Sequence, residues 1–261
     1  MEVLSITEQR AAIGLTTPTA AERAFLWANV SVPQAGLSPS MGGYQPHRII
    51  RRMHNGPWRY VALGGGLRGG KSLGAALEAI PWLPHADLIW LAGETYDLAR
   101  QEFEYLGEAA TSLGWVGDIG LPKNKYQPCT LETEWGARVE TRSLHDLGGG
   151  LPGSSLVARA PDLIVICEPG FAPAETLQQS RERLTTRRGR LWMAGTFEHA
   201  NTWFVETWHA WKRWPNVHMG KSAAVPSWLN TYSFPGGRND PEILAMQASY
   251  GSIREFLVRW G

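Results

Sequence analysis

The chain has 261 residues, of which 43% are hydrophobic and 19% are charged. It can bury a large core, which excludes wholesale disorder and a fibrous repeat. The 25 basic residues nearly balance the 24 acidic ones, and a net charge of +1 argues against a protein that coats DNA statically. Two cysteines, Cys129 and Cys167, exclude a disulfide scaffold or a four-cysteine zinc site within one chain.

The start of the chain lacks the basic and apolar regions of a signal peptide. Apolar runs stay shorter than the roughly 18 residues of a membrane span. With the low cysteine content, these features predict a soluble protein of a reducing cytoplasm that is neither exported nor membrane-bound.

Short apolar runs alternate with helical stretches from Tyr44 onward, which predicts a mainly parallel sheet flanked by helices. The predicted strands are residues 60–63, 88–91, 137–141, 163–166 and 191–194. The predicted helices are residues 72–80, 96–113, 174–184 and 202–211. Glycines and a proline within 114–128 predict a loop there.

Two further segments flank this α/β core of residues 44–215. Residues 1–43 combine a helical stretch with a Pro/Gly-rich loop, and we interpret them as an N-terminal extension. Residues 216–261 change character, with a possible strand near 218–224, a Pro/Gly-rich loop, and helices over 241–250 and 253–260. We interpret this last segment as a lid-like subdomain.

The segment Gly65-Gly66-Leu67-Arg68-Gly69-Gly70-Lys71-Ser72 has the spacing of a P-loop and connects a predicted strand to a predicted helix. In a P-loop, glycines let backbone N–H groups wrap around phosphates at a helix N-terminus. Lys71 would reach the β- and γ-phosphates of ATP, and the Ser72 hydroxyl would ligate Mg²⁺. The alternative is an ordinary glycine-rich turn. Arg68 either touches the γ-phosphate or is a solvated loop arginine.

A second buried-strand pattern, residues 162–168, ends in a carboxylate. ATPases with an additional strand carry an acidic pair at this place, so Glu168 is the candidate catalytic base. Cys167 is a departure, because a neutral thiol is a poor replacement for a carboxylate that helps to hold a hard cation. Either Mg²⁺ relies on Ser72, phosphates and waters, or Glu168 takes the metal role.

One strand later the chain reads Gly195-Thr196. This is where such motors carry a polar residue that senses the γ-phosphate, and Thr196 is the candidate. The alternative is that Thr196 caps the following helix, although Asn201 could supply that cap instead.

Four stretches in this order resemble the N-terminal ATPase domain of the large terminase subunit of tailed bacteriophages. They are residues 44–47 before the arginine-containing P-loop, residues 88–100, the Glu168 strand, and Gly195-Thr196 leading to residues 201–204. Residues 256–261 are similar to the end of that domain. The fold implied is a P-loop NTPase of the additional-strand, catalytic-glutamate type.

The resemblance implies a motor that hydrolyses ATP to drive viral double-stranded DNA into the procapsid. Its implied partners are DNA bound without sequence specificity, the portal protein, the small terminase subunit and further copies of itself in a ring, in the host cytoplasm. It also implies that Tyr44 and Pro46 contact the nucleotide. The family's nuclease domain has no counterpart in this sequence, so nuclease activity is not expected.

The chain departs from the family pattern at three places. Ile50 stands where the family has an adenine-reading glutamine, and Cys167-Glu168 replaces the acidic pair. The trans-acting arginine of a Leu-Arg-Gly segment is replaced by Leu151-Pro152-Gly153. Arg159 is the nearest substitute, unless it is a surface arginine. These departures leave a nucleotide-binding pseudo-ATPase assembly subunit, or another P-loop translocase of the helicase-like kind, as alternatives.

Two groups of arginines are the remaining basic feature. They are Arg48, Arg51, Arg52 and Arg59, and Arg181, Arg183, Arg187, Arg188 and Arg190. Such groups can follow the DNA backbone without reading its sequence, form a solvated helix face, or face a neighbour in a ring.

Overall fold

The computed structural model describes residues 5–124, 126–144, 159–197, 200–215 and 219–261. Within them, eight strands form one sheet. The strands are β1 (Tyr60–Gly64), β2 (Leu88–Gly93), β3 (Val116–Gly120), β4 (Thr130–Thr133), β5 (Arg138–Ser143), β6 (Leu163–Cys167), β7 (Arg190–Gly195) and β8 (Gly220–Ala224).

The helices of the described residues lie on both faces of this sheet or beyond its β8 edge. They are α1 (Ile6–Ala11), α2 (Ala20–Asn29), α3 (Arg48–His54), α4 (Lys71–Ala79), α5 (Arg100–Ser112), α6 (Thr176–Arg183), α7 (Thr202–Arg213), α8 (Pro241–Ser249) and α9 (Ile253–Trp260). Short 3₁₀ turns connect several of them, including Ile80–His85 after α4 and Asp97–Ala99 before α5.

The strand order is β3-β4-β5-β2-β6-β7-β1-β8. From β5 to β8 every neighbouring pair is parallel, whereas β4 runs antiparallel to both of its neighbours. Strand β7 therefore separates β1, which precedes the P-loop, from β6, which precedes Glu168. This interposed strand confirms the predicted P-loop NTPase fold of the additional-strand type. Because β1, β6 and β7 are parallel, their carboxyl ends meet at one edge of the sheet.

The predicted strands, including that near residue 218, are present, with ends shifted by no more than two residues. The predicted loop over 114–128 is wrong, because it contains β3. This strand lies at the edge of the sheet, where Gly117 and Gly120 are tolerated because only one neighbour must be paired. Strand β4 and helix α1 had no counterpart among the predicted elements. Residue 218 itself lies outside the described residues.

Two hydrophobic clusters cover the two faces of the sheet, and a third joins α8 and α9 through Phe234, Ile243 and Phe256. The segment predicted as an N-terminal extension belongs to the first cluster, since Val30 and Val32 are fully buried in it. Strand β8 comes from the segment predicted as a lid, yet it pairs with β1. The boundaries at 43 and 215 remain a prediction. Among the residues that the structure describes, no helix has the length and apolar character that crossing a bilayer requires.

Glu78 on α4 is a fully buried carboxylate that collects donors from several elements. Its Oε2 accepts hydrogen bonds from Arg23 of α2 (3.1 Å) and from Nδ1 of His54 of α3 (2.5 Å). Its Oε1 accepts from Arg190 of β7 (2.9 Å) and from the indole of Trp82 (3.0 Å). Because an unpaired buried charge is very costly, these contacts fix α4 against β7.

Ionisation follows from this packing. Burial on its own raises the pKa of Glu78, but Arg190, Arg23 and His54 together lower that pKa to about 2. Burial lowers the pKa of His54 to about 4, against the opposing effect of Glu78. His54 is therefore neutral near pH 7, with Nδ1 donating to Glu78 and Nε2 accepting from the Tyr44 hydroxyl at 3.3 Å.

These pKa values predict acid sensitivity. The folded chain resists protonation of His54 between pH 6.5 and about 4, whereas the unfolded chain accepts the proton, so stability falls as the pH falls through this range. The shift corresponds to a loss of about 3 kcal/mol. Glu78 adds a further loss between pH 4.5 and about 2. We expect His54→Gln to flatten the dependence between pH 6.5 and 4 in chemical denaturation.

The exposed His209 of α7 provides the matched control. His209→Gln should keep the wild-type slope. A His54→Gln variant with that same slope would contradict the assignment of the acid sensitivity to His54.

Candidate nucleotide-binding site

A cavity of about 850 Å³ opens at the carboxyl ends of β1, β6 and β7. Its volume is in the range of small-molecule sites. The lining includes Leu67, Arg68, Gly69, Gly70, Lys71, Ser72, Glu168, Thr196, Tyr44, Pro46, Ile50, Gln101 and Asn230. The structure therefore brings both predicted halves of the site together.

The P-loop turns from β1 into α4 through backbone conformations that favour glycine. Gly65 has a φ of +128° and Gly70 a φ of +83°, and Arg68 between them also has a positive φ, +55°. Gly70 is the residue before the first turn of α4, so the N–H groups at that helix end have no intrahelical partner. A helix end of this kind attracts anions such as phosphates.

The C-terminal segment packs against the outer side of the P-loop. The N–H groups of Gly66 and Leu67 donate to the carbonyls of Val225 (3.0 Å) and Arg259 (2.9 Å). The Asn230 amide donates to the carbonyl of Arg68 at 2.7 Å. A Cβ on Gly66 would clash with the Ser227 hydroxyl oxygen. Gly66 is thus required by packing, and neither it nor Gly65 is among the residues that line the cavity.

Lys71 is buried at the floor of the cavity. Its Nζ donates to the carbonyls of Gly65 at 3.1 Å and of Gly66 at 2.5 Å. Burial lowers the pKa of Lys71 to about 8, and the nearby Glu168 carboxylate acts in the opposite direction. Arg68 is exposed at the cavity rim, which leaves both of its predicted roles open.

Glu168 follows β6 directly and has a left-handed backbone, with a φ of +49°. Its Oε2 accepts hydrogen bonds from the Thr196 N–H at 2.9 Å and from the Thr196 hydroxyl at 3.3 Å. Gly195 permits this approach, since a Cβ there would lie 3.1 Å from that Oε2 and 2.8 Å from Pro169. The strained backbone and the two hydrogen bonds hold the carboxylate in the cavity.

The alternative that Thr196 caps a helix is wrong. Helix α7 begins at Thr202, and Asn201 is the residue at its N-cap. The Asn201 side chain makes no capping hydrogen bond and instead donates to the carbonyl of Ala172 at 2.8 Å.

Sequence reasoning missed Glu102, in the first turn of α5. This carboxylate is 4% exposed and neighbours the Ser72 hydroxyl and the Cys167 thiol. Burial raises the pKa of Glu102, and hydrogen bonds from Ser72 and Cys167 act to lower it. Burial also raises the pKa of the Cys167 thiol well above its ordinary value, so Cys167 is neutral. The available signal was a Glu at helical spacing with the buried Leu106.

Tyr44, Pro46 and Ile50 line the side of the cavity that lies next to α3. The Tyr44 hydroxyl is turned toward His54, so its phenol ring rather than its hydroxyl forms this wall. Ile50 is 2% exposed and would touch a Cβ placed on Gly74 at 3.1 Å. The side chain at residue 50 is therefore part of the packing on α4.

The predicted arginines have different surroundings. Arg159 is exposed and does not line the cavity, and Leu151-Pro152-Gly153 lies outside the described residues. Arg59 and Arg190 were predicted within surface clusters, and that prediction is wrong for both. Arg59 is buried and donates to the carbonyls of Gly189 and Leu184, and Arg190 is bound to Glu78.

The donor set at the cavity suits a hard divalent cation. Ser72 and Glu168 offer oxygen atoms on the same lining, and Mg²⁺ prefers such ligands together with phosphates and waters. Within the described parts of the chain, no three His, Cys, Asp or Glu side chains are grouped so as to hold a metal ion. A magnesium ion here would therefore need the phosphates of a nucleotide to complete its coordination.

Comparison with solved structures identifies this fold. The large terminase ATPase domain of Thermus phage P74-26 superposes with a TM-score of 0.61 and 20% identity, over 84% of this chain and 93% of that one. The fold is that of a terminase ATPase domain. The large terminase of another phage, described as a thermophilic bacteriophage, matches with a TM-score of 0.60 and 13% identity, over 84% of this chain and 53% of that one.

That second terminase was also solved in complex with ATP-gamma-S, and the complex matches with a TM-score of 0.58 and 11% identity, over 82% of this chain and 52% of that one. No family model matches the sequence, and no curated protein matches it either. The resemblance drawn from the sequence motifs is thus confirmed by the fold.

The close approach at Gly195 yields a prediction. Gly195→Ala forces its new Cβ against Pro169 and the Glu168 carboxylate, so we expect a loss of about 1–3 kcal/mol of unfolding free energy in urea denaturation. Gly251→Ala is the control, because a Cβ there meets its nearest atom at 3.4 Å. Equal stability of the two variants would show that Glu168 is not confined by Gly195.

Proposed function

We propose that this chain is the ATP-hydrolysing motor domain of a terminase large subunit, which drives viral double-stranded DNA into the procapsid. The observation that carries the proposal is the position of the Glu168 carboxylate. It is held by Thr196 in the cavity that Lys71 and the N-terminus of α4 also line. A base, a cation and a helix end around one cavity are what in-line attack on a γ-phosphate requires.

In this proposal each side chain has one task. Glu168 accepts a proton from the attacking water, and its hydrogen bonds to Thr196 keep it aimed at that water. Lys71, held by two P-loop carbonyls, and Arg68 at the rim stabilise the negative charge that develops on the phosphoryl oxygens. Thr196 couples the presence of the γ-phosphate to the carboxylate that it binds.

Magnesium, when bound, would neutralise charge on the phosphates. The Ser72 hydroxyl would hold it, and Glu168 would do so only if it gave up the role of base. Tyr44 and Pro46 would form a wall for the rest of the nucleotide. Ile50 has no group that could donate to or accept from an adenine edge, so this position does not read the base by hydrogen bonding.

The assembly part of the proposal rests on the terminase fold. The chain would work as a ring on the portal protein with the small terminase subunit, in the host cytoplasm, and would track the DNA backbone without reading its sequence. Arg159 is exposed, as an arginine offered to a neighbour's nucleotide must be. Nuclease activity is not assigned to these residues.

One observation favours a second candidate, a nucleotide-binding pseudo-ATPase that acts in assembly. The end of β6 has one carboxylate, Glu168, because the neighbouring Cys167 is a neutral thiol. A site of this kind would bind ATP and release it unchanged.

Glu168→Gln separates the two candidates. The amide can still accept from Thr196 but cannot take the proton of water, so we expect retained ATP binding and a turnover lowered by about 100-fold or more. Binding and hydrolysis should both be measured, with and without double-stranded DNA. Glu206→Gln, on the exposed side of α7, should keep full turnover. A wild-type chain that binds ATP without hydrolysing it would support the pseudo-ATPase.

Lys71→Ala tests the P-loop itself. Removing the buried ammonium should weaken binding of a fluorescent ATP analogue and lower turnover by about 100-fold or more, because a preorganised cation is lost. Circular dichroism should show an unchanged fold, since Nζ contacts only P-loop carbonyls. Unchanged affinity and turnover would refute the assignment of the phosphate site.

A further inference from the structure

A buried carboxylate from a different element lies where the usual acidic pair is incomplete. We propose that Glu102 of α5 supplies the carboxylate that residue 167 lacks, by accepting the hydrogen bond of the Ser72 hydroxyl and so orienting that oxygen toward Mg²⁺. Glu102 is then a positioning residue for the metal. This inference rests on the proposed function, because it concerns how the same site binds Mg²⁺ with a nucleotide.

The first step of the argument is geometric. Glu102 is 4% exposed and is absent from the cavity lining, whereas its neighbour Gln101 and the half-buried Ser72 are both part of that lining. The carboxylate thus lies behind Ser72, on the side away from the cavity. Hydrogen bonds connect it to the Ser72 hydroxyl and to Cys167.

The second step concerns the hydroxyl. A serine has one O–H donor and two acceptor lone pairs. When the proton is directed at a carboxylate behind it, the lone pairs are left for a cation in front. A charged acceptor also makes the oxygen a stronger ligand, as outer partners of metal ligands commonly do.

The third step explains Cys167. The thiol contacts Glu102, and Glu102 and Glu168 both raise its pKa, so the two carboxylates lie on either side of it. An aspartate at residue 167 would bring a further negative charge against Glu102, which is unfavourable in a buried place. A neutral residue 167 and a charged residue 102 therefore belong together.

The N-terminus of α5 supports the charge of Glu102. The residue is in the first turn of the helix, where the peptide dipoles favour an anion. The carboxylate thus keeps its negative charge beside Ser72 without a buried cation of its own.

The test compares ATP-gamma-S affinity in Mg²⁺ with its affinity in EDTA by isothermal titration calorimetry. In the wild-type chain Mg²⁺ should tighten binding. In Glu102→Gln we expect this tightening to fall at least tenfold, with the affinity in EDTA changed by less than about twofold. Glu104→Gln, a change to a half-buried residue of the same helix that only breaks the pair with Arg100, is the control and should behave as the wild type.

Moving the carboxylate gives a sharper arm. Glu102→Gln combined with Cys167→Asp should regain most of the Mg²⁺ effect, whereas Cys167→Asp alone should not increase it, because it sets two buried carboxylates side by side. Should Glu102→Gln not fold, Glu102→Asp withdraws the carboxylate by one methylene. That variant should still lose most of the Mg²⁺ effect while keeping the charge.

Three results would overturn the inference. They are a wild-type Mg²⁺ effect in Glu102→Gln or Glu102→Asp, equal losses in Mg²⁺ and in EDTA, and no recovery in the double variant. A wild-type chain that fails to bind ATP-gamma-S in Mg²⁺ is a different outcome. It would refute the proposed function itself.

Discussion

The buried carboxylate of Glu78 is the constraint on which the rest of the site depends. It is part of α4, the helix that the P-loop opens, and without water its charge must be met by protein donors. Arg23 and His54 reach it from α2 and α3, and Arg190 reaches it from the start of β7. Since the other end of β7 leads to Thr196, a single charge fixes the phosphate-binding helix relative to the strand that holds Glu168.

The second constraint is the interposition of β7 between β1 and β6. Glu168 must approach the cavity past the end of β7, and it does so with a left-handed backbone and two hydrogen bonds to Thr196. Gly195 has no side chain to obstruct this path. Three consecutive choices of residue type thus place one carboxylate, and the cost of the strained φ is met by the contacts that it makes.

The parts of the site that the sequence predicted are those with local signals. The P-loop follows from spacing, and β1, β6 and β7 follow from continuous apolar runs, which are typical of strands buried on both faces. Glu102, the packing of Val225 and Arg259 on the P-loop, and the burial of Arg59 and Arg190 depend on residues far apart in the chain. A charged side chain gives no local sign of burial, because its partner can come from any element.

The two acidic positions of such a site are under different demands, which bears on why only one of them has moved. A catalytic base must touch the attacking water, so its position relative to the phosphates is fixed, and Glu168 is accordingly held by backbone, glycine and threonine. A carboxylate that acts through the Ser72 hydroxyl must only accept one hydrogen bond from behind. Helix α5 reaches that place as well as β6 does, so the charge can be relocated to Glu102 and residue 167 can be neutral. The electrostatic requirement belongs to Ser72, whereas the sequence position that satisfies it is free to change.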